Sequence, residues 1–330
     1  MATLRVALLL IPALLAVALA GVARAAGVPA CHREISGNAA VSPAAPVAAA
    51  MSRLRFVAYQ PTALRVIDGH ATRAEAASIR NDLLALRPRF DGLITYDALH
   101  GAEAVAAIAA QLHYRALIIG VWDPFDRTAV DAALAAAREY PQLVVGLSLG
   151  NELVYRREHS ASELAALIAA LRTRAPRLAL STSEPFHIYY ETAALPLLRQ
   201  LDFLLVNVHP VFQPWFRGAS AAAGAQFVVN VVAQLRASYC GPVLVKETGV
   251  PTAPAAAGFT EPRQAEFYAA LRRLLPASRA RSFAYFAAFD APWRSADSGG
   301  REAEAHWGLY DAQRRPKRVA NELPLLAVSH

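Results

Sequence analysis

Two glutamates close short apolar runs. Glu152 ends Gly146-Leu147-Ser148-Leu149-Gly150-Asn151-Glu152, and Glu247 lies in Val243-Leu244-Val245-Lys246-Glu247-Thr248-Gly249. If each run is a strand, its side chains alternate between two faces, so Glu152 shares a face with Ser148 and Gly146. That face is small and polar and leaves room for a ligand, whereas a structural glutamate at a strand end would pair with a rim arginine. Two carboxylates at one level of a barrel can flank a glycosidic bond. At a separation of about 5 to 5.5 Å, one attacks the anomeric carbon while the other protonates the leaving oxygen.

The rest of the chain must supply strands that aim both residues at one place. From Leu54 onward, short β-branched or apolar runs alternate with longer Ala/Leu/Arg-rich amphipathic runs, as expected for parallel strands joined by crossover helices. The strand candidates are Leu54–Tyr59, Gly92–Tyr96, Ala116–Val121, Leu143–Leu149, Leu178–Ser183, Phe203–Val208, Val243–Lys246 and Phe283–Phe289. Helices are expected between them, among them Ala74–Leu86, Ser162–Arg174 and Pro262–Leu275. An open doubly wound sheet alternates in the same way. It normally carries a glycine-rich phosphate loop after its first strand, and Tyr59-Gln60-Pro61-Thr62 is not one. The expected fold class is therefore α/β, a single-domain (β/α)8 TIM barrel over residues 52–330, with chemistry at the carboxyl ends of its strands.

The two glutamate segments, Leu149-Gly150-Asn151-Glu152 and Val245-Lys246-Glu247-Thr248-Gly249-Val250-Pro251-Thr252, resemble the signature segments of glycoside hydrolase family 17, and its bacterial branch most closely. Supporting stretches are Arg80–Leu83 with Phe90–Leu93, Gly120–Pro124, Ser181–Pro185, Asn207–Pro210, Ala288–Trp293 and His306–Leu309. Together they cover Leu54 to Val319. The resemblance implies a retaining enzyme on β-1,3-linked glucans that forms a covalent glucosyl-enzyme intermediate, with Glu152 as acid/base and Glu247 as nucleophile. It implies neither metal nor other cofactor. Two departures bear on sugar affinity: Val250 stands where the family often has tryptophan, and Arg294 where lysine is frequent.

Further site candidates follow from their places at strand ends. The Asn151 amide can donate to a sugar 2-hydroxyl, or cap a helix. Tyr59 and Tyr96 close the first two strands, where a phenol can orient the nucleophile, bond a sugar hydroxyl or simply fill the core. The resemblance adds Asn207. His209 stands before a loop carrying Phe212, Trp215 and Phe216, whose rings can stack on pyranose faces or pack as a plug. Trp122 and Asp123 after the third strand, and Phe289, Asp290 and Trp293 after the eighth, are read as cleft walls. Glu184, Glu304 and His306 fit a supporting rim network. The histidines show no metal-site spacing.

Function classes narrow as follows. The net charge is +7, but the basic residues are scattered rather than clustered, so nucleic acid is not an expected partner. The expected partner is a β-glucan polysaccharide or oligosaccharide, met by a monomer. The two lysines, Lys246 and Lys317, among many arginines are read as compositional bias. Residues 1–25 read as a signal peptide or membrane anchor: Arg5 precedes an apolar run from Val6 to Ala20, and Ala23-Arg24-Ala25 has the form of a cleavage site. Export to the periplasm, envelope or medium is expected, and there Cys31 and Cys240 could pair. Residues 26–51 are read as a linker or N-terminal arm. Besides hydrolysis, two readings remain open: a transglycosylase that remodels envelope glucans, and a catalytically weak glucan-binding barrel.

Overall fold

A computed structural model describes residues 42–67 and 70–327. The leader, most of the arm and Cys31, with its pairing to Cys240, lie outside the described residues.

Eight parallel strands close into a barrel: β1 (Phe56–Ala58), β2 (Gly92–Ile94), β3 (Ala116–Val121), β4 (Val144–Asn151), β5 (Ala179–Pro185), β6 (Leu204–Asn207), β7 (Val243–Glu247) and β8 (Arg281–Tyr285). Each pairs with its neighbours in sequence, and β8 returns to β1. The expected fold is the observed one. The strands are short and nearly all buried, because parallel strands are covered on both faces.

The crossover helices form for local reasons. The helix Ala161–Arg174 begins with a reciprocal capping box between Ser160 and Glu163. It buries Leu164, Ala165, Ile168 and Leu171, one face at helical spacing. The helix Ala221–Ser238 is capped by Ser220 and buries Val228, Val231, Val232 and Leu235. The helix Glu261–Leu274 is capped by Thr260. Each fully buried aliphatic side chain contributes roughly 1.5–3 kcal/mol, so the layer between barrel and helices carries most of the stability.

The interior has two storeys. At the amino-terminal end, Phe56, Ile118, Ala179, Leu205, Leu244 and Ala284 meet Val47, Ala50 and Met51 of a short helix, Ala45–Met51. The last seven residues of the expected linker or arm, 45–51, are this helix, and they plug the barrel floor. Seven Ala/Pro-rich residues are too few to show a period. The upper storey, around Ala58, Tyr96, Phe286 and Trp307, opens toward the carboxyl ends of the strands.

Candidate active site

The ends of β4 and β7 both break strand alternation. Along β7, Leu244 points into the barrel and Val243 and Val245 point outward, so Lys246 is the next inward residue. A register shift against β6, where Val206 pairs with Val245 and Asn207 with Glu247, brings Glu247 in beside it. On β4 the register against β5 shifts between Ser148 and Asn151. There Gly150 has φ +84° and Glu152 has φ +61°. A Cβ on Gly150 would lie 2.4 Å from Leu153 Cδ1, so both φ and space require glycine.

A short network joins the two strand ends. Lys246 Nζ donates to Asn151 Oδ1 at 2.7 Å and lies 3.6 Å from Glu247 Oε1. His209 Nε2 lies 3.4 Å from Glu247 Oε2. Asn207 Nδ2 donates to Glu152 Oε1 at 2.9 Å, while its own Oδ1 accepts from Ser183 Oγ. The Lys246 ammonium also stands 4.1 Å from the centroid of the Tyr96 ring. Tyr96 Oη and Glu247 Oε1 are buried and have no hydrogen-bond partner among the described residues, an arrangement suited to a polar ligand.

The two carboxyls are driven apart electrostatically. Burial acts to raise Glu247, but the His209 hydrogen bond and the charges of Lys246, His209 and Arg294 outweigh it and hold this group down at about 2. Glu152 is raised above the usual carboxylate range, first by burial and then by the negative charge of Glu247, against the Asn207 hydrogen bond. Burial lowers Lys246 to about 8, although both glutamates favour its charge. Burial and Glu247 push the Tyr96 phenol well up.

The remaining sequence candidates divide. Tyr59 does not face the site, which is a correction. Its fully buried ring lies between barrel and helices, packs edge-on against Phe289, and donates to Asp82 Oδ2 at 2.9 Å. Phe289 belongs largely to that outer layer, against Tyr59 and Tyr310, with one edge on the cleft. Asp123 is exposed on the rim after β3, where its carboxylate accepts from Phe125 N and holds its own turn. Trp122 is half-exposed on the rim beneath the Arg156 guanidinium. Asp290 accepts from Lys317 Nζ and Gly308 N, and with Trp293 it lines the cleft wall. In the loop after β6, Phe216 is core, Trp215 packs on Phe216 and Phe227, and Phe212 lies exposed against His209.

Several residues at the site were not among the sequence candidates, namely Lys246, Gln60, Phe286 and Trp307, while Arg294, noted there as a departure bearing on sugar affinity, does line the cleft. Arg294 donates to Gln60 Oε1 at 2.8 Å across the cleft wall. Trp307 packs against His209 and Phe286, and its indole donates to Glu304 Oε2. His306 lies 3.6 Å from Asp290. The expected rim network of Glu304 and His306 is therefore local, and Glu184 does something else, considered below. Val250 is wholly buried. Among the described residues no group of three His, Cys, Asp or Glu is placed to hold a metal ion.

A closed parallel barrel carrying two oppositely tuned glutamates, Glu247 buried at the end of β7 and Glu152 partly buried just after β4, defines a glycoside hydrolase. Residues 57–308 match the BtgE/BtgC glycoside hydrolase domain, and the chain belongs to that family, which is glycoside hydrolase family 17-like. Among curated relatives it is similar to a glucan 1,3-beta-glucosidase of Arthroderma benhamiae, 27% identical over 299 residues, or 84% of this chain and 92% of the relative. It is also similar to the glucan 1,3-beta-glucosidase BGL2 of Candida albicans, 24% identical over 60% of this chain and 71% of the relative. Among solved structures, a family 17 β-1,3-glucanosyltransferase of Rhizomucor miehei superposes with TM-score 0.62 at 23% identity, covering 80% of this chain and 95% of that one. This last likeness shows the fold.

Proposed function

We propose that the protein is a retaining glycosidase of β-1,3-linked glucans, with Glu247 as nucleophile and Glu152 as acid/base. The observation that carries this reading is the opposite treatment of the two carboxyls at the facing ends of β4 and β7: His209, Lys246 and Arg294 favour the ionised form of Glu247, while burial and the charge of Glu247 raise Glu152 and favour its protonated form. Glu247 attacks the anomeric carbon as the glycosidic bond breaks, and the leaving oxygen takes the proton of Glu152. Glu152, now ionised, removes a proton from water, which displaces Glu247 and restores both groups. The relatives named for 1,3-β-glucosidase activity support the substrate class.

A sugar hydroxyl can replace the water and give a longer glucan. The exposed rings of Trp122, which follows β3, and Tyr155, three residues after Glu152, favour this second reading, because such faces can hold an acceptor sugar. The catalytically weak binding barrel is disfavoured by the presence of both carboxyls. The signature segments support placement in the bacterial branch, and the leader sequence supports action outside the cytoplasm, by a monomer that is released or anchored.

The test is incubation with laminari-oligosaccharides, following products by size and anomeric configuration by NMR. Early β-anomeric product is expected, together with products longer than the substrate if sugar competes with water. Early α-anomer would remove the covalent mechanism, and no product would leave the binding reading.

A further inference from the structure

Glu152 occupies a backbone conformation that a non-glycine residue adopts only when its surroundings impose it, at a cost of order 1–3 kcal/mol. The end of β5 supplies those surroundings. Ser183 O accepts from Glu152 N at 2.7 Å, and Ser183 Oγ donates to the Asn207 amide that in turn donates to the Glu152 carboxyl. The next residue, Glu184, is completely buried. Its Oε1 accepts from Val154 N at 3.0 Å and its Oε2 from Tyr155 N at 3.1 Å. One carboxylate thus grips two successive amides, two and three residues after Glu152, in a turn whose outer side chains, Tyr155 and Glu158, face solvent.

We propose that Glu184 is a positioning residue for proton donation: it clamps the turn that follows Glu152 and so fixes the angle at which Glu152 meets the leaving oxygen. This rests on the acid/base reading of Glu152. A charged acceptor on backbone amides is about twice as strong as a neutral one, and an acid displaced by about 1 Å loses about 10²-fold in rate. The groups facing Glu184 are Glu152 and Arg156 from the turn and Tyr189 from the segment beyond β5. Burial is the main cause that raises Glu184 to about 7, with the charge of Glu152 adding to it.

The test is Glu184→Gln, which keeps the shape but turns an amide nitrogen toward a backbone N–H and removes the charge. On laminari-oligosaccharides, whose leaving groups need a proton, kcat/KM should fall about 10- to 100-fold. On a dinitrophenyl β-glucoside, which needs none, the release of the phenol in the first turnover should change less than about threefold. Equal losses on both substrates in a variant with unchanged melting temperature would overturn the proposal, since a merely structural residue affects both alike. If Glu184→Gln does not fold, hydrogen exchange on the wild-type protein decides. Strong protection of the Val154 and Tyr155 amides in this solvent-facing turn is expected, and fast exchange there overturns the clamp. Wild-type protein inert toward both substrates would instead remove the glycosidase reading, leaving the exchange result to stand alone.

Discussion

The residues that immediately precede the two glutamates are bonded to each other: Lys246 Nζ donates to Asn151 Oδ1 at 2.7 Å, joining β4 to β7 across the barrel. This bond ties the spacing of the two carboxyls to the strand ends rather than to flexible loops. It also places a buried positive charge beside one of them. A site built on strand ends and locked by such a contact can hold reacting groups within a few tenths of an ångström.

Removing each carboxyl separates their proposed roles. Glu247→Ala should lower turnover by at least about 10³-fold, and azide or formate should restore part of it by entering the emptied space and attacking the same carbon. Glu152→Ala should be slow on oligosaccharides yet retain first-turnover release from a dinitrophenyl glucoside. Steady-state and burst kinetics check both. An anion effect on oligosaccharide cleavage absent from Glu247→Ala but present in Glu152→Ala would reverse the assignment.

Lys246 makes activity and stability respond in opposite directions to alkaline pH. Its folded value, about 8, lies below its ordinary 10.5, so between those values the unfolded chain binds the extra proton and this group's contribution to stability rises with pH. Activity should fall over the same range, as Lys246 loses the charge with which it holds Asn151 and Glu247 in place. For Glu247, held at about 2, the stabilising contribution is present above its unfolded value near 4.5 and is lost as pH falls toward 2. Lys246→Met should cut kcat/KM by about 10²-fold and move the acid limb upward toward the usual carboxylate range. Measuring kcat/KM and Tm from pH 3 to 10 tests this, and an acid limb unmoved by the substitution would refute it.

Tyr59→Phe should separate stability from function. The phenol is one of several partners of Asp82, which also accepts from Thr62 and Arg314, so its removal should cost about 1–3 kcal/mol. Its ring lies on the helix side of β1, so kcat/KM should stay within about twofold. Thermal melting and kinetics on one preparation suffice. A tenfold loss of kcat/KM without a change in Tm would put the phenol back in the site.

What could be read without coordinates follows from where the signals are strong. Eight βα units show in the hydrophobic pattern, and the two glutamates show because a charge ending an apolar run is conspicuous. Tyr59 was misplaced because Phe56, Val57 and Ala58 are all apolar and all buried, and in a parallel strand that pattern does not tell inward from outward. Lys246 was overlooked because the register shift that sets it and Glu247 side by side leaves no mark in sequence. Yet a signal was present. Both lysines of the chain are buried against carboxylates at the mouth of the barrel, Lys246 by Glu247 and Lys317 by Asp290. Rarity that looked compositional marks two structural positions. Glu184 carries no sequence signal of its role, because its partners are backbone amides 29 and 30 residues away.

Location remains to be tested by experiment on the leader. An apolar run from Val6 to Ala20 behind Arg5, followed by Ala23-Arg24-Ala25, has the order that export machinery reads: positive charge, apolar stretch, small residues at a cleavage site. Fusing residues 1–50 to a reporter active only outside the cytoplasm should give activity, and replacing two leucines of the run by arginine should abolish it, because an interrupted apolar stretch no longer inserts. Sequencing the mature amino terminus then distinguishes release, beginning at Ala26, from a retained anchor, which keeps Val6–Val22 near the lower limit of about 17 residues for a span. The result bears on substrate as well. Polymeric β-glucan is met in or beyond the envelope, whereas a cytoplasmic enzyme would meet short oligosaccharides. A reporter that stays inactive would therefore remove both the proposed location and the case for a polymer as the natural substrate.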